Sequence, residues 1–258
     1  MDASSLTSSG SLSDRILRVV LAALAATPFV FVPGFLYPHV VPRAAWFRAL
    51  TALGLLVLAW TWGRRGVPAG AWRRERVGAA LAAYAAVFVV AAEVGAEPLE
   101  GLLGGMVRME GAVAWVHYLA FFLLLRVVPD EGSWRPFLRL AALVAAAVTA
   151  WSLLQAYAGV FGLALRDWEG GRVTGTLGLE GPLSAYLLLG ATLSGYLAAT
   201  ASERGRRIGW GALAAAQGWV LLLTGTRAAL AGAVAGGMTA RAWRFVRGPE
   251  RSGLLRAD

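Results

Sequence analysis

The chain has 258 residues, 58% of them hydrophobic and only 15% charged, with a formal net charge of +9. Soluble domains are nearer half apolar and about a quarter charged; here the apolar residues gather in long runs between short arginine clusters, which excludes an ordinary soluble domain and predicts an all-α, polytopic helical membrane protein. Cysteine and lysine are both absent, which removes disulfides, thiolate metal sites, cysteine nucleophiles and the lysine of a phosphate-binding loop.

Residues 1–14, MDASSLTSSGSLSD, are small and polar, and read as a disordered tail ending in a Ser13–Asp14 helix cap. Arg15 and Arg18 then precede an apolar stretch, as in a signal peptide, with alanines near 22–26 that suit a peptidase. The stretch continues past Thr27 to Phe35, which favours an uncleaved first span. A transmembrane helical domain over 15–245 follows, with about eight spans at 16–36, 45–62, 77–92, 112–128, 138–159, 183–201, 208–223 and 228–243. The third, seventh and eighth are short for the hydrocarbon thickness and fit thinner or tilted protein. A basic tail, 246–258, closes the chain.

Arginine counting orients these spans. With the N-terminus in the cytoplasm, 18 arginines fall inside and 6 outside: Arg43, Arg48, Arg108, Arg166, Arg172 and Arg227. The positive-inside rule therefore predicts cytoplasmic N- and C-termini. The same bias explains the basic charge without nucleic acid, since the arginines lie scattered through inter-helix loops. The outside loops are the unusual ones: YPHVVPRAAW, EVGAEPLEGLLGGMVRMEG, FGLALRDWEGGRVTGTLGLEGP and TGTR. They carry Glu93, Glu97, Glu100, Glu110, Asp167, Glu169, Glu180 and His39, with His117 just inside the fourth span. Any chemistry belongs on this face.

No soluble-enzyme signature is present. His-Glu-x-x-His and Asp-x-Asp are absent, so no metal site is expected. Gly175, Gly178 and Gly181 precede a span rather than follow a strand, which argues against a dinucleotide fold.

Two arginines stand out. Arg172 sits among glycines that let backbone approach a ligand, and arginine's planar fork suits phosphate or carboxylate. The plainer reading is an arginine solvated at the membrane surface. Arg227 ends TGTR between two 16-residue apolar arms, 208–223 and 228–243, each about 24 Å long as a helix. Arms shorter than the roughly 30 Å hydrocarbon core place that turn below the outer surface. A charge there needs an anion, carbonyls or water; snorkelling to the interface is the alternative. Arg108 and Glu110 can pair with each other. His117 and His39 are proton acceptors in principle, though a packed histidine and a plain loop residue are the commoner cases.

Four segments together resemble the O-antigen ligase and O-antigen polymerase family of bacterial membrane glycan ligases. They are PGFLYPHVVPRAAWFRAL, RMEG, RVTGTLGLEGPLSAYLLLG and TGTRAAL, in that order over 29–233. The third is similar to the family's Arg-x-x-Gly segment and the fourth to its Thr-x-Ser-Arg turn. Leu179–Glu180–Gly181 stands where the family commonly has Asn-Pro-Asn or His-Pro-Asn, and Thr226 stands where serine is commoner. The family's large external loop, with its histidine implicated in catalysis, has no counterpart here, so the resemblance is to the N-terminal part of such a protein or to a shortened relative, inactive if the loop is essential.

The resemblance implies a glycosyltransferase of cell-envelope and lipopolysaccharide biogenesis in the bacterial inner (cytoplasmic) membrane. Its donor is a polysaccharide or other glycan on polyprenyl pyrophosphate, and its acceptor a lipid or protein. The donor carries its own leaving group, so no metal, nucleotide or cofactor is required. The enzyme neutralises the departing pyrophosphate and deprotonates the acceptor hydroxyl. Arg227, Arg172 and Arg108 are the pyrophosphate candidates; His117, Glu110 and Glu180 are fallback acid–base candidates. A transporter or flippase for an anionic lipid-linked substrate, or a non-catalytic membrane subunit, is the competing expectation.

Overall fold

A computed structural model describes residues 12–35, 37–67, 76–105, 109–128, 131–158 and 172–247. These hold nine α-helices: α1 (Leu12–Ala25), α2 (Val41–Arg65), α3 (Arg76–Val94), α4 (Pro98–Leu103), α5 (Ala112–Val127), α6 (Glu131–Tyr157), α7 (Glu180–Thr200), α8 (Arg204–Leu223) and α9 (Arg227–Arg247). No strand occurs among the described residues. Among the described residues four helices are long and apolar enough to cross a membrane: α2, α3 over Val77–Val94, α6 over Trp134–Tyr157, and α7. Helix α5 is apolar but shorter, at 16 residues. The all-helical expectation therefore agrees with the observed fold.

The stretch expected to be the first span, 16–36, is not one helix. Helix α1 has 14 residues, about 21 Å, and gives way to a short 3-10 turn over Thr27–Phe29 with Pro28 near its start. Proline lacks the N–H that would continue the ladder. The carbonyls released at this break find other donors. Thr27 Oγ1 donates to Leu24 O at 2.5 Å, Trp46 Nε1 to Ala23 O at 3.2 Å, and Arg43 to the carbonyls of Thr27 and Pro28 at 3.3 Å each. Unpaired backbone is costly away from water, so the first turns of α2 act as a cap for α1.

Helices α8 and α9 run longer than their apolar arms, at 20 and 21 residues. Arg204, Arg206 and Arg207 start α8, and Arg241, Arg244 and Arg247 lie in the last turns of α9. The helix therefore extends past the apolar residues at the end away from the TGTR turn.

The chain divides into two compact units, Met1–Phe137 and Leu138–Asp258. The division falls inside α6, next to Pro136. In the first unit Leu17, Val20, Leu21 and Leu24 of α1, Leu58 of α2 and Leu124 of α5 form the core. Gly54 lets α2 close on α5: a Cβ there would stand 2.7 Å from Leu124 Cδ1. In the second unit Val148 of α6, Leu183 and Leu187 of α7, and Val220 and Leu221 of α8 enclose Val173 from the connecting segment. Small and hydroxyl-bearing residues line these contacts, as expected where helices associate by close packing. Thr149 and Ser152 turn their hydroxyls back to Ala145 O and Val148 O at 2.6 and 2.8 Å, so neither needs a partner across the interface.

Candidate functional site

In the first unit, two of the singled-out segments meet. Arg48, in the second turn of α2, donates from Nη2 to the carbonyl of Met109 at 2.6 Å. Met109 is the one non-glycine residue with positive φ among those described, at 55°. A charged donor on this carbonyl holds the unusual backbone in place. Gly111 explains the last letter of RMEG. A Cβ at Gly111 would collide with Gly104 N and Leu102 O, so two backbones touch where only glycine fits. Glu110 is exposed beside them. One helical turn into α5, His117 Nδ1 lies 2.7 Å from Val113 O. A carbonyl can only accept, so Nδ1 carries the proton and Nε2 is the nitrogen able to take one.

In the second unit, a single side chain organises the segment around Arg172. Gln155, near the end of α6, accepts from the backbone N–H of Thr174 at 3.2 Å and of Gly175 at 2.8 Å. Its amide Nε2 donates to Thr174 Oγ1 at 3.1 Å. Gly175 is buried with φ 57°, and a Cβ there would meet Ser152 Oγ at 2.6 Å. Val173, 2% exposed, plugs into the core. The segment is therefore pinned on both sides of Val173, and Arg172 projects from its edge.

Arg172 faces two things. Its Nη1 lies 3.4 Å from Glu180 Oε1, at the first turn of α7. Its Nε lies 3.6 Å from where a Cβ would stand on Gly225. Gly225, at φ 65°, is the glycine of TGTR. The positive φ is what calls for glycine at this position, since a Cβ would meet Arg172 Nε only at ordinary van der Waals distance. Within the turn, Thr224 Oγ1 donates to Leu221 O at 2.7 Å and receives the N–H of Thr226 at 3.4 Å. Thr226 Oγ1 is shut off from solvent and has no hydrogen-bond partner among the described residues.

Arg227 is the first residue of α9 and is exposed. The first-turn N–H groups of a helix have no partner in the helix itself, and the helix dipole is positive there. An arginine at that end adds charge of the same sign, so the local field attracts an anion. Among the described residues Arg227 has no hydrogen-bond or ion-pair partner.

The six expected outside arginines thus separate by environment. Arg43 and Arg48 are engaged with backbone carbonyls and hold structure. Arg172 and Arg227 belong to one turn region of the second unit, with Glu180 beside Arg172. Arg108 and Arg166 lie outside the described residues. Of the acid–base candidates, His117 and Glu110 belong to the first unit and Glu180 to the second. His39 packs its ring on Phe31 at 4.7 Å. Among the described residues no group of His, Asp and Glu is arranged to hold a metal.

Gln155 is the residue that sequence reasoning passed over. A signal was present: the chain has only two glutamines and no asparagine, and both glutamines stand in apolar runs. A polar residue at such a place is costly and therefore has a task. The second, Gln217 of α8, is fully buried beside Gly190 of α7, and neither polar atom of its amide has a partner among the described residues. No family model, curated protein or solved structure matches the chain.

Proposed function

We propose that the protein is a membrane glycosyltransferase of the O-antigen ligase type, in which Arg172 and Arg227 bind the pyrophosphate of a polyprenyl-linked glycan. The observation that carries this reading is the nearness of Arg172 Nε to Gly225, 3.6 Å from where a Cβ would stand, two residues before Arg227. Two segments 53 positions apart in sequence, each quoted for its arginine, are neighbours.

The chemistry follows from the charge. Breaking the sugar–phosphate bond leaves negative charge on the pyrophosphate, and fixed cations lower that barrier. Two guanidinium groups and a helix N-terminus supply positive potential at one turn. Arginine also presents its hydrogen bonds in pairs that match phosphate oxygens. The acceptor hydroxyl loses its proton to a separate base, for which Glu180 is the candidate in the same unit as the two arginines.

The topology belongs to the same proposal. About eight spans with both termini in the cytoplasm put the TGTR turn on the outer face of the bacterial inner membrane, where a lipid-linked glycan meets its lipid or protein acceptor. The 18-to-6 arginine distribution supports that orientation.

The test is surface glycan attachment in cells carrying Arg172→Ala or Arg227→Ala at unchanged protein level. Both variants are expected to lose attachment. Arg227→Lys is expected to be poor, since an ammonium replaces paired hydrogen bonds with a point charge. Normal glycan display in both alanine variants refutes the assignment.

A further inference from the structure

We infer that Glu180 is an internal competitor for the anion position at Arg172, so that it sets how tightly the site holds its ligand. This rests on the reading of Arg172 and Arg227 as an anion site. It adds a role for a residue that the reading otherwise leaves as an acid–base candidate.

Local structure puts the carboxylate there. Gly178, at φ 78°, turns the chain, and Glu180 then opens α7. An acidic side chain is favoured in a helix's first turn by the positive end of the dipole. From that position Oε1 reaches Arg172 Nη1 at 3.4 Å. The guanidinium is thus set between a carboxylate on its Nη1 side and the TGTR turn on its Nε side. An incoming phosphate that uses Arg172 meets a position where one anion already sits.

The pair is built to exchange. Its side chains are 62% and 37% exposed, and the contact is a single long one rather than a two-bond fork. Exposed pairs of this kind are weak, because water solvates both partners. A phosphate that forms paired bonds to the guanidinium displaces the carboxylate. A weakly charged ligand does not gain enough to do so. Glu180 therefore raises the charge a ligand needs, at a cost of roughly two- to fivefold in affinity, the range expected from an exposed pair. The carboxylate is also a feature of this chain: the turn that follows the Arg-x-x-Gly segment reads Leu-Glu-Gly here.

The test is titration calorimetry on the full chain in detergent, with inorganic pyrophosphate as one probe and farnesyl pyrophosphate as the other. Tightening toward inorganic pyrophosphate locates the effect in the phosphates; tightening toward farnesyl pyrophosphate alone assigns it to the lipid-linked form. Glu180→Gln is expected to bind at least one probe two- to fivefold tighter, and Glu180→Ala to do the same. In an Arg172→Ala background Glu180→Gln is expected to give no gain. If Arg172→Ala weakens binding while both Glu180 variants leave it unchanged or weaker, Glu180 is not a competitor and the anion site survives. A gain that persists without Arg172 is a general charge effect and overturns the inference. If neither Arg172→Ala nor Arg227→Ala weakens binding, the anion site itself is wrong, and this inference falls with it.

Discussion

Replacing Gln155 by leucine removes the support beneath Arg172 at nearly constant volume. Three hydrogen bonds disappear, at 2.8, 3.1 and 3.2 Å. Two of them satisfy backbone N–H groups, and Gly175 is buried. A buried donor left without a partner costs about 1–3 kcal/mol, while a lost bond to a group that can find water costs about 1 kcal/mol. The net loss expected for Gln155→Leu is therefore about 2–4 kcal/mol, partly offset by the added apolar contact. Thr174→Val removes only the contact to Nε2, and about 1 kcal/mol or less is expected. Reversible unfolding of the purified protein in mixed micelles measures both. Pyrophosphate affinity reports whether the loosened segment still presents Arg172, and a several-fold weakening is expected for Gln155→Leu. A loss below about 0.5 kcal/mol, or equal losses in the two variants, refutes the claim that the glutamine holds this backbone.

Gly175→Ala places a Cβ 2.6 Å from Ser152 Oγ at a φ of 57°, and the left-handed backbone and the overlap together are expected to cost about 2–4 kcal/mol in the same unfolding measurement. Adding Ser152→Ala removes the nearest atom and is expected to recover part of that loss, whereas Ser152→Ala alone changes stability little because its hydroxyl bonds only to its own helix; no recovery refutes the steric account. In the first turn of α4, the hydrogen bond from Glu97 and then its like charge raise the pKa of the Glu100 carboxyl above the ordinary carboxylate range. A raised folded-state value means that the folded chain binds the proton more tightly than the unfolded one. This contribution is present in full below the ordinary carboxylate range and is lost as pH rises through the raised value. Carboxyl-carbon NMR titration is expected to find Glu100 titrating late in the wild type and in the ordinary range in Glu97→Gln.

The helical character of the chain is legible residue by residue. Runs such as those in α2, α3, α6 and α7 are apolar for the length a bilayer requires, and that property is local. The glycines of RMEG and TGTR also announce themselves, since tight backbone approach and positive φ both call for glycine. Interruptions are harder to read. The stretch through Thr27, Pro28 and Phe35 looks continuous by hydropathy, yet α1 stops at Ala25 because Arg43, Trp46 and Thr27 can take over the carbonyls that a break exposes.

The roles of the arginines divide in the same way. Sequence alone gives the expectation of which of them fall on the loops of one face, because that expectation depends on charge counted along the chain. Tertiary structure decided what each one touches. Arg43 and Arg48 look as available as Arg172 in a list, but carbonyls from other segments engage them. Arg172 comes near the TGTR turn because Gln155 pins the segment that carries it. A guanidinium reaches several ångströms from its own backbone, so its partner is set by whichever distant segment packs there. That packing is a property of the whole unit, and no window of sequence contains it.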